Sequence, residues 1–337
     1  NNPDTKQEKR KTIKKEYAVQ KNASLSIQNK YGNISVATWD RNRIEITVVI
    51  TVKGNNQSAV EKKLQNINVD FNASSTWVSA KTSIEKSSWS LWGNSNNESY
   101  QINYTVKMPK SNNIIVNNDY GSIIIDAIDG TTDINCDYGK IIIGELNNSK
   151  NEIELDYCNK STIGYMKSGA INADYSKLTV DKTATVKINS DYSNIHIGEA
   201  NTVTYNADYG GLRVDNVNSI TGNSDYVSIR LGTLYKNLNI NADYGSIKIK
   251  ELAVGFNKAE ISSEYVGISI GTKENNQFNF KIQLQYADFR YNRGNVELFK
   301  SIEKSSKKYY EGSYGKGNSS STLVISSQYG GVSLKEL

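Results

Sequence analysis

Nine carboxylates each stand immediately before a tyrosine: Asp119, Asp137, Asp156, Asp174, Asp191, Asp208, Asp225, Asp243 and Glu264. Such a row has two chemical uses. It can hold hard cations, since calcium takes roughly six to eight oxygen ligands. Alternatively, each carboxylate can accept the backbone amide two residues on, closing a tight corner as in an Asx turn. The corner is the expected use. One carboxylate per repeat, with a neutral Asn two residues earlier, supplies few oxygens, and the Gly-x-Asp signature of calcium-binding β-rolls is missing. Neighbouring carboxylates about 5 Å apart repel by roughly 1 kcal/mol even in water, so the row carries a cost.

Other chemistry-bearing residues are isolated in the sequence. His196 is the only histidine and lies between Ile195 and Ile197, facing away from an apolar row. It has no partner at metal-ligand spacing, and no Ser-His-Asp or Cys-His set forms without it. Cys136 and Cys158 fit neither a disulfide-dense scaffold nor a zinc site. They are expected to stay unbridged, because a bridge needs Cα atoms within about 7 Å and these two sit on a diagonal between adjacent repeats. Carboxylates recur in every repeat, so no acid/base pair stands out. Trp89, Trp92 and Tyr100 lie in or beside a polar loop, either as apolar cover for an exposed core or as a ligand-contact patch. No catalytic residue, metal or cofactor is expected.

The elements that must position these residues are written in an internal repeat. The aligned tyrosines are Tyr120, Tyr138, Tyr157, Tyr175, Tyr192, Tyr209, Tyr226, Tyr244, Tyr265 and Tyr286, at steps of 17 to 21 residues. Outlying copies stand at Tyr31 and Tyr329. Apolar residues occupy positions six and four before the tyrosine, and position two before is often small. Positions three and five after are apolar again, as in Ile188, Ser190, Ile195 and Ile197 around Tyr192. Both flanks alternate with period two, the mark of half-buried strands, and the tyrosine breaks the phase as a bend would. Only the unit of Tyr157 departs, with Lys160 and Thr162 at its apolar positions. Asn117, Asn135, Asn172, Asn189, Asn206, Asn223 and Asn241, three before the tyrosine, are expected to stack as amide ladders. The tyrosines are expected to stack at the corner, and a sugar-binding aromatic face is the functional alternative.

A unit this small cannot bury its apolar face alone, so the units must stack. The expected fold is all-β: a parallel β-solenoid, right-handed as parallel crossovers usually are, with short rungs of 17–21 residues. Residues 1–16 are expected to be a polar tail, 17–110 an irregular β-rich cap, and 111–337 the solenoid, with a surface loop over 301–321 and a closing rung at Tyr329. The one helix expected is Ser58–Ile67, with Val60, Leu64 and Ile67 on one face.

Of the net charge of +5, +3 falls in residues 1–16, which hold six basic and three acidic residues. The remainder is nearly neutral, which argues against a nucleic-acid partner, since that requires a basic stripe. No apolar run approaches the roughly 20 residues of a membrane-spanning helix. A polar, basic start is what remains when a signal or lipid-anchor segment has been cut away.

The run Asn29-Lys30-Tyr31-Gly32-Asn33-Ile34-Ser35-Val36, with Thr38-Trp39-Asp40, Tyr104–Lys110 and the serial Asp-Tyr-Gly units, resembles the bacterial putative-adhesin domain family. The resemblance covers residues 17–337 and brings no catalytic residues. It implies a β-solenoid exported to the periplasm, outer-membrane surface or extracellular space, with glycans or host or envelope proteins as partners. The rivals are a non-adhesive envelope or signalling accessory and a polysaccharide-cleaving β-helix. The uniformity of the repeats argues against the enzyme, which would place special residues on a few rungs.

Overall fold

The structure is a computed structural model that describes residues 6–85 and 98–337. These residues form 22 strands and one helix, and the chain divides into two compact units, Asn1–Tyr165 and Met166–Leu337. None of the described helices is long and apolar enough to cross a membrane.

In the first unit the repeats pair in parallel and in phase. Lys30 lies opposite Asp119, Asp119 opposite Asp137, and Asp137 opposite Asp156. After the tyrosine corner the second arms pair in the same way: Ile34 with Ile123, and Ile123 with Ile141. The outlying Tyr31 copy is thus the neighbour of the Tyr120 copy. Val116, Ile134 and Ile153 point into one buried row, and Ile123 and Ile141 into the facing one. The departure at Tyr157 is a one-residue insertion. Lys160 takes a positive φ of 58°, and Ser161 and Ile163 turn inward where Lys160 and Thr162 do not. The buried Ser161 hydroxyl then accepts the Ile141 amide at 3.1 Å.

The segment before the repeats is largely antiparallel. Arg43–Gly54 pairs with Gln7–Ala18 on one side and Ser99–Pro109 on the other, and Ile67–Ala73 pairs with Trp77–Ile84. From Gln7 onward, therefore, the expected polar tail is a 12-residue strand. Several of its charges are partnered, Lys9 by Glu61 and Glu8 by Lys53, which is how a charged segment is held at a sheet edge. The helix runs Gln57–Gln65, capped by the Asn56 side chain accepting the Ala59 amide at 3.0 Å. Val60 is its buried residue, while Ile67 belongs to the next strand.

In the second unit the repeats again pair in parallel, with Leu178 opposite Ile195, Asp191 opposite Asp208, and Asp243 opposite Glu264. Its far end departs from the expected order. Glu264 lies opposite Gln328, and Gln328 opposite Gln285. The last copy in the sequence therefore does not close the stack but lies between the copies of Tyr265 and Tyr286. Ser263 and Ser327 face each other inside, hydroxyl to hydroxyl at 3.1 Å. The outer edge of Phe278–Gln285 is covered instead by Lys307–Tyr314, antiparallel, which pairs in turn with Val296–Lys304. The surface loop expected over 301–321 is therefore a hairpin as far as Tyr314. Aromatic rings close the core here, Phe278 on Tyr314 at 5.1 Å and Phe280 against Phe289 at 5.7 Å.

One inward row contains an exchange of sizes. Tyr205 occupies a position that most other copies fill with Ile, and its ring fills the space that a side chain at Gly222 would need. A Cβ on Gly222 would meet Tyr205 Cδ1 at 2.3 Å. The Tyr205 hydroxyl and Ser224 Oγ are buried as neighbours, and neither makes a hydrogen bond of full geometry.

Candidate binding surface

Every ladder tyrosine takes the left-handed backbone conformation, with φ between 48° and 61°. That region costs a non-glycine residue roughly 1–2 kcal/mol. Glycine is the usual choice there, so the side chain must offset the cost. It does so by stacking. In the first unit Tyr31, Tyr120, Tyr138 and Tyr157 form one stack with centroids 4.9–5.1 Å apart. In the second, Tyr175, Tyr192, Tyr209, Tyr226, Tyr244, Tyr265, Tyr329 and Tyr286 form another at 4.7–5.0 Å, with ring planes within 9°. A stacked aromatic pair contributes about 0.5–1.5 kcal/mol. The rung-to-rung strand spacing of about 4.8 Å places the rings at that separation without further adjustment.

Main-chain bonds hold the corner. The Tyr192 amide donates to the Asp208 carbonyl at 2.9 Å, and the Tyr120 amide to the Asp137 carbonyl at 2.8 Å. Where serine follows the tyrosine, its hydroxyl completes the corner, Ser193 Oγ donating to the Asp191 carbonyl at 2.8 Å. Where glycine follows, the chain runs too close to its neighbour for a side chain: a Cβ on Gly139 would lie 1.8 Å from the Gly121 carbonyl oxygen. Among the described residues, the carboxylates of Asp191, Asp208, Asp225 and Asp243 do not accept the amide two residues on, which corrects the expected Asx turn. Lys30 pairs with Asp119 at 3.1 Å at the start of the row. Burial and the charges of Asp191 and Asp225 raise the carboxyl pKa of Asp208, and burial with Asp119 and Asp156 does the same at Asp137. Burial and neighbouring tyrosines likewise raise the phenol pKa of Tyr138, Tyr209 and Tyr244. Asn ladders form beside the acids, Asn189 donating to Asn172 and Asn241 to Asn223, both at 3.0 Å. Among the described residues no group of three or more His, Cys, Asp and Glu converges as a metal-ligand set.

The ring faces are covered by neighbours, so a sugar cannot stack on them along the row. What the row presents is a strip of ring edges and hydroxyls, each tyrosine of the second stack being 43–56% exposed. At the start of the first stack Tyr100 stands edge-on to Tyr31 at 5.2 Å, with the Lys63 ammonium 4.6 Å from its own ring. Tyr31, Tyr100, Tyr120 and Lys53 line a cleft of about 470 Å³. Trp89 and Trp92 lie outside the described residues.

His196 has a partner that linear spacing concealed. Its Nε2 is 2.8 Å from Asp215 Oδ2, and Arg213 Nε donates to Asp215 Oδ1 at 2.8 Å. Burial opposes the charge on Asp215, but the bonds from His196 and Arg213 outweigh it and lower its carboxyl pKa. The signal was available in the repeat, since adding one 17-residue step to His196 reaches Arg213. Cys136 and Cys158 are buried and not disulfide-bonded, with Cys158 Sγ donating to the Cys136 carbonyl at 3.0 Å.

These features define an all-β protein that displays ordered rows of aromatic edges, amides and carboxylates. No family model matches the chain, and no curated protein matches it. It is similar to several solved bacterial structures. A putative cell adhesion protein from Clostridium sporogenes ATCC 15579 shares 9% identity over 97% of this chain and 100% of its own, with a TM-score of 0.21. A putative adhesin from Bacteroides fragilis NCTC 9343 shares 11% over 96% and 97%, with a TM-score of 0.32. A putative adhesin from Parabacteroides distasonis ATCC 8503 shares 11% over 78% and 93%, also at 0.32. The sequence motifs resemble this same class of protein. Likenesses at this level carry no functional argument, and function has to be read from the site.

Proposed function

We propose that this chain is an exported, non-catalytic surface-binding protein of the adhesin type. Its repeats form a right-handed parallel β-solenoid with rungs of 17–21 residues, the segment through residue 110 serving as cap and 111–337 as the displaying body. The partners are glycans or host or envelope proteins, met in the periplasm, at the outer surface or outside the cell. One observation carries this reading: eight tyrosines hold a costly backbone conformation in phase and turn their hydroxyl edges to solvent. Stacking needs only the rings, so the exposed hydroxyls are left available to a ligand. A linear ligand lying along it meets the same hydroxyl at every strand spacing, and many weak contacts of fixed geometry sum to a specific attachment.

A glycan and matrix-protein array tests the proposal. The wild-type chain is expected to bind a restricted set. Tyr192→Phe, Tyr209→Phe and Tyr226→Phe together keep the rings but remove three hydroxyls, and should weaken binding about 10-fold or more, the effect of losing roughly one hydrogen bond's worth of free energy or more. Absence of any binding, or binding indifferent to these changes, overturns it.

A further inference from the structure

The second tyrosine stack has a property that binding does not require. Its eight phenols are parallel, exposed at one edge, and separated by 4.7–5.0 Å. A diffusible oxidant therefore reaches each ring, and a radical formed on any inner ring already has a phenol neighbour on both sides. Radical coupling between tyrosines is ordinarily limited by the encounter of two rings. Holding the partners side by side replaces that encounter by a local rearrangement of two neighbouring side chains, the situation in which effective concentrations become very large.

We infer that this stack is a site of oxidative modification, at which neighbouring tyrosines of one chain couple into dityrosine when hydrogen peroxide and a haem peroxidase act on the protein. Each of the two phenols loses one electron and its hydroxyl proton. The resulting radicals join by a bond between their ortho carbons, and the two ring hydrogens at those carbons then move to the oxygens and restore the phenols. Peroxide takes up the two electrons and two protons and leaves as two waters. The pair ends two hydrogen atoms lighter.

The consequence depends on which pair couples. Most bonds would tie consecutive repeats. A bond between Tyr265 and Tyr329, whose rings lie 4.7 Å apart, would instead lock the intercalated C-terminal copy to the body of the unit. Closing so long a stretch of chain constrains the unfolded state more than closing one repeat does. Oxidation is thus expected to harden the displayed surface against unfolding rather than to damage it.

The test treats the full chain with a haem peroxidase and hydrogen peroxide, dilute enough that no covalent dimer forms, and maps cross-linked peptides by mass spectrometry. Expected products pair Tyr192 with Tyr209, Tyr209 with Tyr226, and Tyr265 with Tyr329. Their yield should exceed that of the urea-unfolded chain about 10-fold or more, as preorganisation predicts. The combined substitutions Tyr192→Phe, Tyr226→Phe, Tyr265→Phe and Tyr286→Phe keep every ring but leave no two adjacent phenols in this stack, and should abolish its cross-linked peptides. A native yield no greater than the unfolded one, or links between tyrosines that are not stack neighbours, overturns the inference. If that variant does not fold, the wild-type peptide map decides alone.

Discussion

Replacing Tyr192 by alanine and, separately, by glycine divides what the ladder residue costs from what it contributes. Its φ is 49°, and its ring lies between Tyr175 at 4.9 Å and Tyr209 at 4.7 Å. Alanine removes both stacking contacts and keeps the left-handed strain. Two contacts at about 0.5–1.5 kcal/mol each give a loss of roughly 1–3 kcal/mol. Glycine removes the same contacts but adopts positive φ freely, recovering about 1 kcal/mol of that loss. Glycine should therefore be the more stable variant, the reverse of the ordinary order within a strand, where glycine is the weaker by about 0.5–1 kcal/mol. Denaturant titration followed by circular dichroism measures both variants against wild type, with equal slopes required before midpoints are compared. If the alanine variant equals or exceeds the glycine variant, the corner is not left-handed at Tyr192 and the reason offered for tyrosine there fails.

Three further outcomes follow from the same geometry. Tyr205→Phe deletes a buried hydroxyl that makes no hydrogen bond of full geometry and should change stability by less than about 1 kcal/mol, whereas Gly222→Ala drives a methyl into the Tyr205 ring and should cost about 1–3 kcal/mol; thermal melts compare the two. Asp208→Asn should stabilise the fold at neutral pH. The folded-state pKa of Asp208 is raised, so its unfavourable contribution is absent below the ordinary carboxylate range and complete above the folded value; the gain from Asn must grow as pH rises through that window, and a gain that is flat or shrinks with pH contradicts it. Chelator should leave the melting temperature unmoved, because main-chain bonds hold the corners, and a drop that calcium restores would make the acidic row a metal site.

The repeating arms were legible in the sequence because two constraints coincide there: period-two burial on each flank and a tyrosine at a fixed phase. Ile134, Ile188 and Ile195 are buried where that phase puts them. What linear reading missed is non-local. Nothing around Tyr329 says that its strand enters between two earlier ones, since any copy of the repeat offers the same pairing edge to any other. The pairing of Tyr205 with Gly222 breaks the apolar pattern at both positions and becomes intelligible only when the two are adjacent. Lys160 shows the same limit on a smaller scale, for an inserted residue with positive φ looks in the sequence like a degraded repeat. At the candidate surface the tyrosine stack was readable. The role of the acids was not, because parallel strands supply main-chain bonds at the corner that make a side-chain cap unnecessary.

The displayed surface exists only if the copies lie in the stated register, and the intercalated C-terminal copy is its most demanding element. A double variant, Ser263→Cys with Ser327→Cys, tests that directly, because these side chains meet inside the unit with their hydroxyls 3.1 Å apart. Oxidation of the folded variant should give an intrachain bridge between the two introduced thiols in most molecules, since facing residues on adjacent strands meet the separation a disulfide needs. A bridge that forms no better than in the urea-unfolded chain would contradict the register, and with it the continuous row of tyrosines on which the proposed function rests.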